Sequence, residues 1–184
     1  MAPTKFLGPV MCLAFAAPAA AGVTVIGASS ARLCYEAAEF GTGNEAGLDW
    51  CDRALAEEAL VRSEHVATLV NRGILKLRAG RLEASLVDFD EAIRLDASEP
   101  EAYLNKGMAL LRFERPSAEA IAFFDAALAR KTRRPALAYY GRAIAHEAAG
   151  RAREAYRDFR QASVMEPQWA DPKTELARFT VRRR

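Results

Sequence analysis

Small and apolar residues recur along most of the chain at helical spacing. Ser85/Phe89/Ala92, Ala120/Phe124/Ala127 and Ala155/Phe159/Ala162 each set a small residue, a Phe four later and an Ala seven later. A looser copy is Gly47/Cys51/Ala54, with Cys51 where Phe would stand. Offsets of four and three place such residues on one helix face. Before each triplet runs a second recurring block: Leu69-Val-Asn71-Arg72-Gly73-Ile-Leu75, then Tyr103-Leu-Asn105-Lys106-Gly107-Met-Ala109, then Tyr139-Tyr-Gly141-Arg142-Ala143-Ile-Ala145. Gly73 and Gly107 are 34 residues apart, and Gly107 and Ala143 are 36 apart. Each block predicts a first helix and each triplet a second. Gly73, Gly107 and Ala143 let helix axes approach, while the Phe fills the gap between neighbouring hairpins. Gly80-Arg81 and Gly150-Arg151 supply turns where positive φ costs Gly little. Glu166-Pro167 ends a unit, and Ser98-Glu-Pro-Glu101 predicts a capping box opening the next. Sustained alternation is missing from the repeat region; the strand-like Val23–Ile26 lies in a linker. The prediction is an all-α fold.

Residues 1–21, MAPTKFLGPVMCLAFAAPAAA, place Lys5 before an apolar stretch and small residues at Ala19-Ala20-Ala21. That order is a secretory leader with cleavage after Ala21. An uncleaved anchor is the rival, but Pro9, Pro18 and the alanines make a poor 20-residue span. Removing the leader removes Cys12 and leaves Cys34 and Cys51, an even pair suited to an oxidising compartment. If two antiparallel helices flank the turn near Gly41-Thr-Gly43-Asn44, the two sulfurs face each other. A structural disulfide is the reading, with two buried free thiols as the alternative.

The 34-residue period, the Asn/Gly-rich first helix, the Gly turn and the Ala-x-x-x-Phe-x-x-Ala second helix together resemble the tetratricopeptide repeat. Leu95-Asp96 and Met165-Glu166-Pro167 are similar to that family's closing Leu-Asp-Pro, although Ala97 replaces the Pro. Extra residues around Arg115-Pro116 and Arg133–Pro135 also depart from the pattern. The resemblance implies a right-handed superhelical solenoid of about four helix–turn–helix repeats, at 31–65, 66–99, 100–135 and 136–169. A linker over 22–30 precedes them, and a capping helix with a basic tail follows over 170–184. Asp171-Pro172 is read as N-cap and first helical residue, with Leu176 and Phe179 covering the last hairpin. The resemblance further implies a concave groove, lined by first helices, that takes a peptide. On that side it places Val70, Asn71, Ile74 and Arg78, then Leu104, Asn105, Met108 and Arg112, then Tyr140 and Ile144. Asn71 and Asn105 share a register for bonding a peptide backbone. Arg78 and Arg112 do the same for an acidic ligand.

The 184 residues are 51% apolar and 27% charged, with mean hydropathy −0.10, a soluble globular composition. Two His and three Cys leave little material for metal or nucleophilic chemistry. His65 and His146 have no supporting partner nearby in sequence. Asp88-Phe89-Asp90-Glu91 is read as a solvated face, because Asp88 and Asp90 diverge on a helix. Gly41–Gly47 lacks phosphate-loop spacing and a preceding strand, so it is a turn. No cofactor, metal or catalytic residue is expected. Net charge is +2 but uneven: residues 22–99 carry −6 and residues 100–184 carry +7. The basic half includes Arg130–Arg134 and Arg182–Arg184. No aromatic residues interleave with these runs, and export argues against nucleic acid. The expectation is an exported, non-catalytic protein-interaction scaffold, periplasmic or secreted, whose partner is a protein or acidic peptide. The alternative is a self-assembling or membrane-surface-associated structural protein of the cell envelope.

Overall fold

The computed structural model describes residues 28–41, 45–112 and 117–179. The expected leader over 1–21, Val23–Ile26, the expected insertion at Arg115-Pro116 and the Arg182–Arg184 tail lie outside the described residues. Among the described residues there are nine helices and no strand. They run α1 (Ser30–Phe40), α2 (Glu45–Glu57), α3 (Arg62–Arg78), α4 (Leu82–Leu95), α5 (Pro100–Arg112), α6 (Ser117–Ala129), α7 (Pro135–Ala148), α8 (Ala152–Met165) and α9 (Ala170–Ala177). The first eight form four hairpins in chain order, and each hairpin packs on the next. The first helices α1, α3, α5 and α7 also touch in series, while α9 rests on α8. α3 opens at Arg62, so the second hairpin begins ahead of residue 66.

The aromatic triplets form the core as expected. Phe89, Phe124 and Phe159 are fully buried, and so are Ser85, Ala92, Ala120, Ala127, Ala155 and Ala162. The first helices leave room for the rings by omitting side chains. A Cβ on Gly73 would stand 2.5 Å from Phe89 Cε1, and one on Gly107 would stand 2.9 Å from Phe124 Cε1. Gly141 plays the same part from the following hairpin: a Cβ there would lie 2.6 Å from Phe124 Cε1. Phe124 is therefore held between glycines of two hairpins. Phe159 is covered instead by Tyr140, Ala143, Leu176 and Phe179, so the cap closes the last core.

In the first hairpin a cystine occupies the aromatic site. Cys34 on α1 and Cys51 on α2 are bonded and fully buried, with Cα atoms 4.8 Å apart. The ends of this hairpin are tied as well. Ser29 Oγ accepts from the Arg32 N–H at 3.2 Å, and the Glu58 carboxylate accepts from the Ser30 and Ala31 N–H groups. This anion sits on the positive end of α1.

Turn chemistry departs from the expectations at three points. Ser98 and Glu101 do not form a capping box. Pro100 takes the first helical position, so Glu99 precedes the helix and accepts from the Glu101 N–H at 3.0 Å. Glu101 is buried and turns to the next hairpin, accepting from Thr132 Oγ1 and the Arg133 N–H, both at 2.8 Å. Second, Asp171 does not cap α9. The helix opens at Ala170 after Trp169, whose Nε1 donates to Asp171 Oδ2 at 3.1 Å. Third, Gly80 and Gly150 adopt positive φ as expected, but Lys131 does too, at 61°. Lys131 closes α6 with the reversed 6→1 and 5→2 bonds that end helices at Gly. The clasp of Glu101 on the next two residues holds that strained position.

Two outcomes are expected. Gly141→Ala should lower stability by about 2–3 kcal/mol, because Phe124 has glycine contacts on both sides and no direction in which to move; chemical denaturation measures it. Replacing Cys34 and Cys51 together by Ala should cost roughly 3 kcal/mol through the lost loop closure, and reductant should lower the wild-type melting temperature but not the variant's.

Candidate functional site

The first helices and the turn before α7 enclose a recess of about 350 Å³ on the concave side. Tyr35 and Glu39 of α1 form one wall. Ala67, Val70, Asn71 and Ile74 of α3 form the floor. Glu101 and Asn105 of α5 continue it, with Glu99, Arg133 and Arg134 at the far rim. Helical periodicity explains the floor: residues 67, 70, 71 and 74 fall on one face of α3, and Val70 and Ile74 at its edge also pack toward α4.

Of the residues expected in a groove, Val70, Asn71, Ile74 and Asn105 line this recess together. Asn71 has no side-chain bond among the described residues, whereas Asn105 Nδ2 donates to the Glu101 carbonyl of its own helix at 2.8 Å. Asn105 thus offers its carbonyl oxygen and one remaining N–H. The other expected residues fall elsewhere. Leu104, in the register of Val70, is fully buried in the core around Phe124 and presents no surface to the groove. Met108 fills the seam between two core clusters. Arg78 reaches back and donates to the Ala38 carbonyl at 2.6 Å, which secures the end of α1. Arg112 is exposed on α5. Tyr140 packs on Phe159 and Trp169 at the capped end, and Ile144 joins the same cluster. Burial and the nearby Glu175 and Asp171 carboxylates raise the pKa of the Tyr140 phenol.

Tyr35, Glu39, Arg133 and Arg134 were not expected in the groove. Arg134 pairs with Glu39 at 3.7 Å, so a residue before α7 reaches the first hairpin. The curvature of the array brings them together, and no local pattern announces that. Half of the basic run is committed to structure. Arg130 lies over the Tyr103 ring at 4.1 Å and donates to the Ala97 carbonyl at 2.7 Å, and the backbone around Thr132 is clasped by Glu101.

No protein-family model and no curated protein matches the sequence. Solved structures do. The tetratricopeptide domain of Arabidopsis OM64 is 25% identical, with a TM-score of 0.60 over 64% of this chain and 96% of that one. The first such domain of Spaghetti (RPAP3), solved with the HSP90 peptide SRMEEVD, is 22% identical at a TM-score of 0.59, covering 65% and 94%. MamA of Desulfovibrio magneticus RS-1 is 20% identical at 0.63, covering 81% and 82%. The fold is that of the tetratricopeptide repeat.

Across this tetratricopeptide array a second set of polar residues recurs at the hairpin junctions. Arg72 of α3 binds Asp88 of its own hairpin at 2.8 and 3.0 Å, and Asp52 of the preceding one at 2.7 Å. Arg142 of α7 repeats this with Asp158 at 2.7 and 2.8 Å and with Asp125 at 2.5 Å. Lys106 holds the same register in α5: it pairs with Asp90 behind and lies 4.4 Å from the centroid of Phe123, which stands where the second Asp would be. Asp88 is therefore no part of a solvated face; it is 2% exposed and also pairs with Lys76 at 2.7 Å. One residue before a core Phe, its carboxylate points into the hairpin junction.

His146 stands where Lys76 stands two hairpins earlier, 3.8 Å from Asp158. It lines a recess of about 380 Å³ with Tyr139, Arg142, Glu154, Arg157, Asp158 and Gln161. The charges there satisfy one another: the hydrogen bond to Asp158 holds Arg142 further above its ordinary pKa, and no three His, Cys, Asp or Glu among the described residues are placed to bind a metal. His146 Nδ1 is buried with no hydrogen-bond partner among the described residues. Burial pushes the His146 pKa down, against the opposing pull of Asp158.

The folded state thus resists protonating His146, while the unfolded chain takes the proton near pH 6.5. Stability contributed by the neutral ring is present above that pH and lost below it. The melting temperature should fall as pH drops from about 7.5 to about 5.5, and His146→Gln should flatten that slope. An unchanged slope in the variant would assign the effect to other groups.

Proposed function

We propose that the chain is a non-catalytic protein-interaction scaffold that binds an extended peptide segment across the recess formed by α1, α3 and α5. The observation that carries the reading is the convergence of Tyr35, Val70, Asn71, Ile74 and Asn105 on one concave surface, apolar on its floor with amide groups in register. Such a surface suits a partner that offers backbone polar groups and an apolar side chain in alternation. A similar domain solved with a bound peptide supports the same reading. The ligand is acidic in this proposal. Arg133 and Arg134 lie at the rim, and the Glu39–Arg134 pair is half exposed, a class of ion pair worth under about 1 kcal/mol, so an incoming carboxylate can replace Glu39. The chain is also proposed to act after export, because the leader-like residues 1–21 and the Cys34–Cys51 bond suit an oxidising compartment.

The test is selection of peptides from a random displayed library on the immobilised protein, followed by titration. Enrichment of Asp or Glu is expected. Tyr35→Ala with Asn71→Ala should weaken the selected peptides at least tenfold, or about 1.4 kcal/mol, with little change in melting temperature. Val87→Ala, exposed on α4, should change nothing. Wild-type affinity in the double variant would remove the groove from the account.

A further inference from the structure

The two ends of the array are finished differently. At the C-terminal end, Leu176 and Phe179 close over Phe159, and Phe179 also meets Tyr156. At the N-terminal end, α1 is the only first helix without a preceding helix among the described residues. Its residues Leu33 and Phe40, with Ala46 and the half-buried Trp50 of α2, border a shallow recess of about 360 Å³ between the two helices, with the buried Ala37 at its base. Phe40 is 73% exposed, the most exposed of the large apolar side chains of the described residues.

The position of this face says what shape fits it. Everywhere else in the array, the corresponding face of a first helix is covered by a helix of the preceding hairpin: α2 on α3, α4 on α5, α6 on α7. The occupant is thus a helix with a narrow apolar stripe. The charge around the face says what flanks that stripe. Residues 28–58 carry two cations, Arg32 and Arg53, against seven carboxylates. Arg32 and Arg53 are turned to Glu36 and Glu57, and Arg53 also covers Trp50. Arg72, Arg81 and Arg134 of later hairpins pair with Asp52, Glu45 and Glu39. Asp49 has no cationic partner among the described residues, and the exposed pairs of Glu36 and Glu57 are of the class worth under about 1 kcal/mol. A second copy meeting head to head would bring the same acidic hairpin against itself, one meeting head to tail would present an end already closed by Leu176 and Phe179, and an anionic membrane would be repelled.

We propose that the open N-terminal face of the first hairpin, centred on Phe40 and Trp50, docks a basic amphipathic helix of a partner protein. The helix seats apolar residues between α1 and α2 and turns Lys or Arg toward Asp49 and, in exchange for Arg32 and Arg53, toward Glu36 and Glu57. This surface is distinct from the concave recess, so two partners can be held at once.

Two designed helical peptides test it, one of Leu and Lys and one with the same Leu stripe and Glu in place of Lys, titrated calorimetrically into the full chain. The Leu/Lys peptide should bind, and the Leu/Glu peptide at least tenfold more weakly. Phe40→Glu should abolish most of the Leu/Lys binding without changing the melting temperature, and Val87→Glu, which adds the same charge on exposed α4, should not. Equal binding by both peptides, or by the Phe40→Glu and Val87→Glu variants, overturns the proposal. So does sedimentation showing a dimer of the free chain that Phe40→Glu dissociates, which would assign the face to a second copy. Acrylamide quenching of Trp50 in a Trp169→Phe background adds a third arm: the ring is half-buried beneath Arg53, so only a ring that quenches more readily once residues 1–27 are removed would assign the face to the chain's own N-terminal segment. The peptides selected for the groove should bind Phe40→Glu normally, which keeps this outcome separate from that of the concave site.

Discussion

Each hairpin from the second onward closes around one aromatic ring that has lost all contact with water, and the ring fits only because the facing helix carries glycine or alanine. Phe89 against Gly73, Phe124 between Gly107 and Gly141, and Phe159 against Ala143 are three versions of one contact. Burying a Phe contributes about 1.5–3 kcal/mol before packing is counted. The spacing between axes follows from the ring's thickness, and the curvature of the array follows from that spacing repeated along the chain. The recess depends on the same stacking, since α1, α3 and α5 line one surface because their hairpins pack in series.

The polar residues at the hairpin junctions follow the aromatic ones. Because Asp88 and Asp158 directly precede a core Phe, they are carried to the edge of the core, where an unpaired carboxylate would be costly. Arg72 and Arg142 meet them in bidentate fashion and reach back to Asp52 and Asp125 of the neighbouring hairpin. A guanidinium suits this place because its planar fork satisfies two carboxylates in fixed directions. Lys106 holds the register in the middle hairpin, where Phe123 replaces the carboxylate and the ammonium lies against a ring face instead. These pairs orient one hairpin on the next, whereas most of the binding energy between hairpins is apolar.

The ends of a one-dimensional array need special provision, because each hairpin buries its apolar face only against a neighbour. The C-terminal end uses α9, and Trp169 and Phe179 extend the aromatic cluster over Tyr140 and Phe159. The N-terminal hairpin has no core aromatic and instead holds its two helices by a cystine, with the Glu58 carboxylate on the start of α1. That hairpin keeps an outward apolar face and a strong negative charge. The groove, by contrast, is bridged by Glu39 of the first hairpin and Arg134 of the turn before the fourth.

The helical class, the pairing of helices, the identity of the core rings and the positive-φ turns at Gly80 and Gly150 were all legible in the sequence, because each depends on residues within one or two helical turns of each other. Cys34 and Cys51 could be paired for a similar reason: a short hairpin fixes their relative height. The floor of the groove was half legible. Asn71 and Asn105 repeat in register, and so do Val70 and Leu104, but Val70 keeps an edge on the recess whereas Leu104 is sealed into the core, a difference set by the neighbouring hairpins and not by helical periodicity. Arg78 was claimed by a carbonyl of α1, and Glu101 by a turn some thirty residues on. Burial of Asp88, the role of Gly141 against the preceding hairpin, and the meeting of Tyr35 and Glu39 with Arg133 and Arg134 depended on how hairpins stack. Local periodicity fixes which face of a helix is apolar; only the packed array decides which neighbour that face meets, and so which polar groups are consumed by the fold and which remain for a partner.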